Sequence, residues 1–482
     1  MDVVNYKKIQ DAKKDQAISV YLQAVTEASQ DWALSSAFSG KAGLMIQHAL
    51  GDDGSTVTWS GITTWADLQN NATAWALFVA DTDIYGMFST YLPQIYGIAL
   101  VSSGGGAGTW QRIDGDGNNI TLVEADFDAH DTWGGIAAET IDSQSMIKIP
   151  KFWVKYGLGP VGSDQAGNPC RWVSDVPRPG FVVHPGFMSA GSAIDQFYVG
   201  AYECSDGGSS KAASVTGAAP LVSIDFPTMQ TRCTNRNTGG VTGFQMIDIY
   251  QLSAIQLLCL IEEGSPDVQS TIGAGNTSTS AAVNTGASNA IWRGIYELWG
   301  NVLKMVDGLQ LDGSHQVKIW DKNGNQTLQS TGVTTGSTDG WITAMHDDSD
   351  TAWDLNLVFL PETVDATEGN GTFGDYVYAS DGAEVNVCVC YHGGNWSNAA
   401  KAGLFYLNLS SVSSSSSWHD IHSDKETLAE ECLDDLPALA DFHTAMNNKA
   451  PMAVVRDLAR RCKRDIDEDL AMYENYQKPG NE

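Results

Sequence analysis

The segment that most constrains this chain is residues 387–418, where an apolar strand pattern, VCVCYH, runs directly into Gly393, Gly394, Asn395 and Trp396. Two adjacent glycines allow a sharp turn because they carry no Cβ. Small polar residues and a few aromatic ones follow, and side chains of these types make adaptable contacts with a partner. The segment therefore predicts a turn, anchored by Trp396 in a core, that displays a binding surface.

Length and charge narrow the classes of protein. The chain has 482 residues, 43% of them hydrophobic, so we expect a folded protein of two to four domains with sizeable cores. Its 58 acidic residues against 27 basic ones give a formal net charge of −31. Such a field repels nucleic acids and anionic membranes, so neither is expected as a partner.

Hydropathy gives no sign of membrane insertion. No run approaches the roughly 18 apolar residues that a spanning helix needs. The first residues, MDVVNYKKIQDAKK, lack the apolar core of a secretory signal. We therefore expect a chain that is made in a cytoplasm and stays soluble there, unless it leaves as part of a larger particle.

The eight cysteines indicate packing rather than chemistry. They lack the paired CxxC spacing of a zinc site. Cys388 and Cys390 lie two apart in a strand pattern, so we expect them to share a buried face. No cofactor is predicted.

Two acidic segments resemble metal sites, and each has a simpler interpretation. The densest cluster of possible ligands is His346, Asp347, Asp348, Asp350 and Asp354, for which a solvated acidic loop is favoured because the whole chain is acidic. The segment DGDGNN after residue 113 suits a β-hairpin better than a calcium loop, because the terminal Glu and the spacing of such a loop are missing. No metal is predicted.

The pattern along the chain divides it into four parts. Residues 1–101 are predicted to form a helix over about 1–30 followed by a small attachment module. Residues 102–144 are predicted to form a Gly-rich linker, SSGGGAG, and a hairpin region. Residues 145–423 carry short strands, long loops at 273–288 and 330–340, and one buried helix over 247–262. A capping box at Thr427 and Glu430 and an apolar stripe after Pro451 predict a helical tail over 424–482.

Four segments of the third part, in order, resemble a known family. They are SMIKIPKFW at 145–153, HPGF at 184–187 with FYVGAYE at 197–203, YELWGNV at 296–302, and the 392–405 run with its GGNW motif. The sequence resembles the C-type-lectin-like fold of formylglycine-generating-type domains, as used in phage tail and receptor-binding proteins. The resemblance implies an α+β fold with a small twisted antiparallel sheet, two helices and a loop-rich binding face.

Within that family, the chain is similar to the variable proteins of diversity-generating retroelements, whose residues after the GGxW motif contact a receptor. For the serine run 413–417, an undiversified flexible loop remains the alternative. By position, the resemblance implies twelve receptor-binding residues: Tyr391, His392, Asn395, Ser397, Asn398, Lys401, Leu404, Tyr406, Asn408, Ser413, Ser415 and Trp418.

The sequence favours adhesion over catalysis. Enzymes of this fold carry reactive cysteines shortly after the GGxW motif, and this chain has none between Trp396 and Cys432. We therefore expect a non-enzymatic virion protein of a tailed bacteriophage, a tail fibre or receptor-binding protein, and the resemblance implies a homotrimer. Its expected partners are a host surface receptor, protein or glycan, and other virion proteins. A structural role in the capsid, collar or baseplate and a glycan hydrolase are the two alternatives.

Overall fold

The computed structural model describes residues 95–178, 180–379, 387–414 and 422–424, with short pieces at 47, 50, 52, 54–62 and 71–80. In these residues the fold is a mixed α+β arrangement that is largely β. The helices predicted over 1–30 and in the tail after residue 424 lie outside the described residues, as does most of the predicted attachment module.

Short strands dominate the described chain. In chain order they are β1 (Ile95–Ser102), β2 (Thr109–Ile113), β3 (Ala137–Ile141), β4 (Gln144–Pro150), β5 (Trp153–Leu158), β6 (Pro169–Ser174), β7 (Val182–Val183), β8 (Met188–Ser189), β9 (Ser192–Ala193), β10 (Gln196–Gly200), β11 (Ser205–Asp206), β12 (Ala212–Ala213), β13 (Phe244–Met246), β14 (Ile291–Trp292), β15 (Ile295–Tyr296), β16 (Lys304–Leu311), β17 (Gln316–Trp320), β18 (Leu328–Thr334), β19 (Gly340–Met345), β20 (Pro361–Asp365), β21 (Tyr376–Tyr378), β22 (Cys388–His392), β23 (Leu407–Val412) and β24 (His422–Asp424).

The described helices are fewer and mostly short. The α-helices are α1 (Ala72–Ala80), α2 (Glu124–Ala129), α3 (Asp131–Gly134), α4 (Phe226–Thr234), α5 (Ile249–Glu263) and α6 (Val268–Thr271). Single 3-10 turns lie at Trp59–Gly61, Pro185–Phe187, Leu355–Leu357, Glu368–Asn370 and Ala399–Lys401.

Three large sheets contain most of these strands, and the remaining six form the two-stranded pairs β8-β9, β11-β12 and β14-β15. Two have five strands, in the orders β2-β1-β6-β5-β7 and β13-β24-β10-β4-β3. The third is a curled sheet of eight strands, in the order β18-β17-β16-β22-β23-β21-β19-β20, and all its pairs are antiparallel except β21 with β23. This sheet is larger than the small sheet that the resemblance implies.

Helix α5 confirms the predicted main helix. Asp248 caps it by accepting hydrogen bonds from the backbone N–H groups of Tyr250 and Gln251, and Gly264 ends it with a φ of 68°. Thirteen of its fifteen residues are buried. The helix contacts both β16 and β1, so it lies between the eight-stranded sheet and the first five-stranded sheet.

The Gly-rich segment at 102–108 forms a hairpin loop, which corrects the predicted linker. Strands β1 and β2 flank this loop and pair with each other. Strand β1 also pairs with β6 along its other edge. Within the loop the Gly108 N–H donates to the Gly104 carbonyl at 2.8 Å, and both glycines have positive φ. The same composition suits a flexible linker and a tight loop, because glycine alone adopts such φ values without strain.

The boundaries that the sequence predicts at residues 101 and 144 lie within β-strands that pair with other strands. Residue 101 belongs to β1, which pairs with β6 beyond residue 145. Residue 144 is the first residue of β4, which forms a hairpin with β3. Residues 102–144 therefore belong to the same sheets as the residues that follow them, because their strands find their partners there.

The hairpin predicted at DGDGNN is confirmed. Asp114 Oδ1 accepts the backbone N–H groups of Asp116 at 3.0 Å and Asn118 at 2.8 Å, which closes the turn. A β-bridge between Ile113 and Asn119 follows directly. The side chain of Asp114, the first aspartate of this segment, is thus occupied by hydrogen bonds from backbone N–H groups of the same turn.

The two predicted long loops have different outcomes. Residues 273–290 contain neither helix nor strand, as expected. In the 330–340 segment, by contrast, β18 continues to Thr334 and pairs with β17. The β-branched residues Thr331 and Val333 lie on the half-buried face of this edge strand and suit it, so this half of the loop prediction was wrong.

The cysteines behave as predicted in the described part of the chain. The six described cysteines are buried, and none of these six forms a disulfide. Cys388 and Cys390 both enter the large core cluster on one face of β22, and burial raises the pKa of each thiol. A raised pKa keeps a thiol protonated and unreactive.

None of the helices in the described residues is both long and apolar enough to span a membrane.

Candidate binding site

The two-glycine turn forms as predicted at the end of β22. Gly393 and Gly394 have φ values of 86° and 76°, a region that disfavours any residue with a Cβ. A Cβ on Gly394 would lie 2.7 Å from the Cβ of Ala402, and one on Gly393 would lie 3.0 Å from the Leu298 carbonyl. Both positions therefore require glycine, for conformation and for space.

Backbone hydrogen bonds fix the loop that follows. The N–H of Trp396 donates to the Asn301 carbonyl at 3.0 Å, and the N–H of Ala399 donates to the Thr277 carbonyl at 2.7 Å. The Trp396 carbonyl accepts the N–H of Thr279 at 2.8 Å. The Trp396 ring, predicted to be anchored in a core, is half-buried, and the Trp396 backbone makes the hydrogen bonds that hold this loop.

An ion pair lies beneath this turn. Lys304 Nζ and Glu203 Oε1 are 3.0 Å apart, and both side chains are completely buried. Lys304 also donates to the Gly300 carbonyl, and the second Glu203 oxygen accepts the Asn301 side-chain amide. Since Gly300 donates to the Gly393 carbonyl at 2.9 Å, this network supports the turn directly.

Burial sets the protonation of the pair. Loss of solvent raises the pKa of Glu203, and the neighbouring Lys304 cation opposes that shift. Burial lowers the pKa of Lys304, and Glu203 opposes that shift in turn. The two groups therefore depend on each other for their charged forms.

Four of the twelve predicted receptor-binding side chains are buried. They are Tyr391, His392, Leu404 and Tyr406, each with 1% or less of its surface exposed. Burial lowers the pKa of His392 to about 3, and its Nε2 lies 2.7 Å from the Leu404 carbonyl oxygen. Leu404 belongs to one core cluster, and Tyr391 and Tyr406 belong to another, so these side chains lie in the core and not on the surface.

Six predicted residues keep their side chains at least partly exposed. They are Asn395, Ser397, Asn398, Lys401, Asn408 and Ser413. Asn395 Oδ1 accepts the N–H and the hydroxyl of Ser397, both at 2.9 Å, and Asn398 Oδ1 accepts the N–H of Asn395 at 2.7 Å. These bonds hold the loop in one shape. The remaining two residues, Ser415 and Trp418, lie outside the described residues.

Two tyrosines that the sequence analysis missed complete this surface. Lys401 Nζ lies 3.9 Å from the ring centroid of Tyr376 and 5.1 Å from that of Tyr378, and it donates to the Tyr378 hydroxyl at 3.1 Å. Both rings are half-buried. Their strand β21 pairs with β23, which places Tyr378 opposite Asn408.

We use the name Lys401 face for the surface that these contacts connect. Its residues are Tyr376, Tyr378, Asn395, Ser397, Asn398, Lys401 and Asn408. The signal that could have found the tyrosines is the alternation in Tyr376-Val377-Tyr378, where two amphipathic side chains flank a buried valine. Aromatic rings, amides and one cation on a fixed backbone are suited to contact with a partner.

The acidic segment at 346–354 gives no metal site in the structure. Among the described residues, no group of three His, Cys, Asp or Glu side chains is placed to hold a metal ion. His346 instead contacts Asp348, and Asp354 accepts the Tyr156 hydroxyl at 2.6 Å.

Comparison of the sequence with protein-family models and with curated proteins found no match in either.

Proposed function

We propose that this chain is an adhesion protein of a tailed-bacteriophage virion, with a C-type-lectin-like domain that binds a host surface receptor through the Lys401 face. In this proposal the protein is a tail fibre or receptor-binding protein and acts as a homotrimer beside other virion proteins. Several copies would multiply contacts that are weak one by one. No catalytic step is assigned.

The mutual contacts of the four resembling segments support the lectin-like fold. The N–H of Ala201 donates to the Ser145 carbonyl at 2.9 Å, and the N–H of Tyr296 donates to the Ala201 carbonyl at 2.8 Å. The third segment reaches the fourth through Gly300 and Gly393. Segments far apart in sequence thus form one connected frame, which is what a shared fold requires.

The observation that carries the adhesion proposal is the position of Lys401 over two half-exposed tyrosines. A cation above aromatic rings and a row of amides give a surface that combines apolar contact with hydrogen bonding. The frame beneath it is fixed by two required glycines and a buried ion pair. A preorganised surface of this kind loses little conformational entropy when it binds.

A competition experiment tests the proposal. Purified protein is added to host cells before the phage, and phage adsorption is then counted with the wild type, Tyr378→Ala and Lys401→Ala. We expect the wild type to block adsorption and both variants to block it less. Lys211→Ala is the matched control, since Lys211 is a partly exposed lysine that donates to the Thr238 hydroxyl outside the Lys401 face.

Two outcomes would count against the proposal. If neither the wild type nor any variant blocks adsorption, receptor binding loses its support and a structural role in the virion takes its place. If all four proteins block equally, adhesion remains but the Lys401 face is not the surface that carries it. The size of the protein by light scattering tests the trimer separately.

A further inference from the structure

Three polar side chains meet beneath the two-glycine turn, in a part of the core that solvent does not reach. They are Glu203, Asn301 and Lys304, and each is 0% exposed. Glu203 Oε1 lies 3.0 Å from Lys304 Nζ, and Glu203 Oε2 accepts a hydrogen bond from the Asn301 side-chain amide at 2.5 Å. A single buried carboxylate therefore contacts both an amine and a carboxamide.

Lys304 Nζ also contacts the main chain next to Asn301. It donates to the Gly300 carbonyl, which belongs to the peptide unit that joins Gly300 to Asn301. The amine thus lies beside the main chain of Asn301 and, by way of Glu203, beside its side-chain amide. Because the lysine stem is flexible, rotations of its methylene groups move Nζ between these acceptors and Cγ of Asn301.

The carbonyl oxygen of the Asn301 side chain is polarised by two donors. Oδ1 accepts the side-chain amide of Asn276 at 2.9 Å and the backbone N–H of Val283 at 2.8 Å. Both donors belong to the long segment 273–290, which has neither helix nor strand. Donors placed in this way make Cγ more electrophilic, and they stabilise the negative charge that develops on the oxygen when an amine adds.

Burial favours the uncharged forms of the acid and the amine. It lowers the pKa of Lys304 and raises the pKa of Glu203, although the charge of each group opposes the shift of the other. A proton that moves from Nζ to Oε1 across the 3.0 Å contact leaves an amine with a lone pair, which is the nucleophilic form. The ion pair is therefore the state from which a reaction can start.

We propose that Lys304 and Asn301 form an intramolecular isopeptide bond, with Glu203 as the proton carrier. The Nζ lone pair adds to Cγ, so the Nζ–Cγ bond forms while negative charge gathers on Oδ1. The Cγ–Nδ2 bond then breaks, and Nδ2 leaves as ammonia. Of the two protons that Nζ loses, one passes through Glu203 to Nδ2 and the other remains on Glu203. The products are neutral, and no other reactant is consumed.

The bond exchanges a buried ion pair for a neutral amide and fixes the frame under the turn. Lys304 lies directly below that turn, since a Cβ on Gly393 would be 3.3 Å from Lys304 Cδ. The proposal concerns the chemistry of this frame and does not depend on the adhesion proposal.

Mass spectrometry of the denatured full chain tests the bond, in fresh protein and after prolonged incubation. We expect a mass below that of the sequence by one ammonia. Trypsin does not cleave after a lysine whose amine is acylated, so the loss should appear in one peptide, residues 294–318, that retains Lys304 uncut. Fragmentation of this peptide should release no ions from cleavage between Asn301 and Lys304, because the ring joins both ends.

Two variants separate the reaction from a purely structural role of the three groups. Asn301→Asp offers the same Cγ with a hydroxyl in place of the amine leaving group, so the chain should lose one water instead of one ammonia. Glu203→Gln has nearly the same shape and cannot carry the proton, so it should keep the full mass. Lys148→Met is the matched control, because Lys148 pairs with Glu139 at 3.4 Å on a partly exposed surface, and it should still lose ammonia.

Three results would overturn the proposal. The first is a wild-type chain that keeps the full mass after incubation. The second is a loss of ammonia that maps to a peptide other than 294–318, such as the one that contains Asn323 before Gly324. The third is a loss in 294–318 that persists in Glu203→Gln.

Discussion

Lys304 Nζ lies 3.0 Å from Glu203 Oε1, with both side chains fully buried under the two-glycine turn. A charge left alone in that position has no water to solvate it. We therefore expect Lys304→Met to lower the free energy of unfolding by about 3–5 kcal/mol. Urea denaturation of the two proteins measures the difference.

The double variant Glu203→Gln with Lys304→Met is the control for this prediction. The glutamine oxygen still accepts from the neighbouring donors, and no unpaired charge remains. We expect it to be more stable than the single variant by at least about 2 kcal/mol. A single variant as stable as the wild type would contradict the role of the pair.

Gly394→Ala should destabilise the turn through two effects. The residue has a φ of 76°, and the added Cβ would lie 2.7 Å from that of Ala402. We expect a loss of about 2–4 kcal/mol in the free energy of unfolding. Gly162→Ala is the matched control, because it has a φ of 94° and no atom within 4 Å of its Cβ.

In the control variant, Gly162→Ala, the free energy of unfolding should fall only by the cost of the backbone conformation, about 1 kcal/mol. Thermal unfolding of both variants gives the comparison. Equal losses would mean that the contact with Ala402 contributes nothing and that conformation alone selects glycine at position 394.

His392 should make the protein less stable as the pH falls. Burial holds its folded pKa at about 3, below its ordinary value of 6.5. The unfolded chain therefore binds a proton that the folded chain excludes, so the stability is complete above about pH 6.5 and is lost as the pH falls towards about 3. Between about pH 7.5 and about pH 5 the loss from this group is about 2 kcal/mol.

Denaturation curves across this pH window, for the wild type and His392→Gln, measure the contribution. The glutamine amide can donate to the Leu404 carbonyl as the imidazole does, and it does not titrate. We expect a shallower pH dependence in the variant. His184, whose pKa burial also lowers to about 3, and Glu203, whose raised pKa acts in the opposite direction, are common to both proteins. Identical slopes would show that His392 is not excluded from protonation in the fold.

Local signals in the sequence were enough for the helix and the turn. The apolar repeat with Asp248 before it and Gly264 after it marks α5, since capping and periodicity depend on neighbouring residues only. The paired glycines at 393 and 394 marked the turn for the same reason. Pairing between distant strands leaves no such local signal, so the composition of SSGGGAG predicts a linker, although β1 pairs with the distant strand β6.

Which side chains of β22 are buried could not be predicted from the sequence, for a physical reason. Cys388 and Cys390 face one core cluster, while Val389 and Tyr391 face another that includes Met229 of α4. A strand covered on both sides is apolar throughout or carries amphipathic residues, so alternation does not reveal an exposed face. The resemblance therefore placed Tyr391 on the binding surface, and the helix that covers it shows why its side chain is buried.

Lys401→Ala should separate binding from stability. The side chain is partly exposed and lies over Tyr376 at 3.9 Å, so its loss should cost only about 0.5–1 kcal/mol in the free energy of unfolding. If Lys401 contacts the receptor, the effect of the substitution on binding is larger than its effect on stability. We expect the concentration that blocks adsorption by half to rise about tenfold. Urea denaturation and the competition assay are run on the same preparation. A loss of stability that matches the loss of blocking would mean that Lys401 maintains the fold and does not contact the receptor.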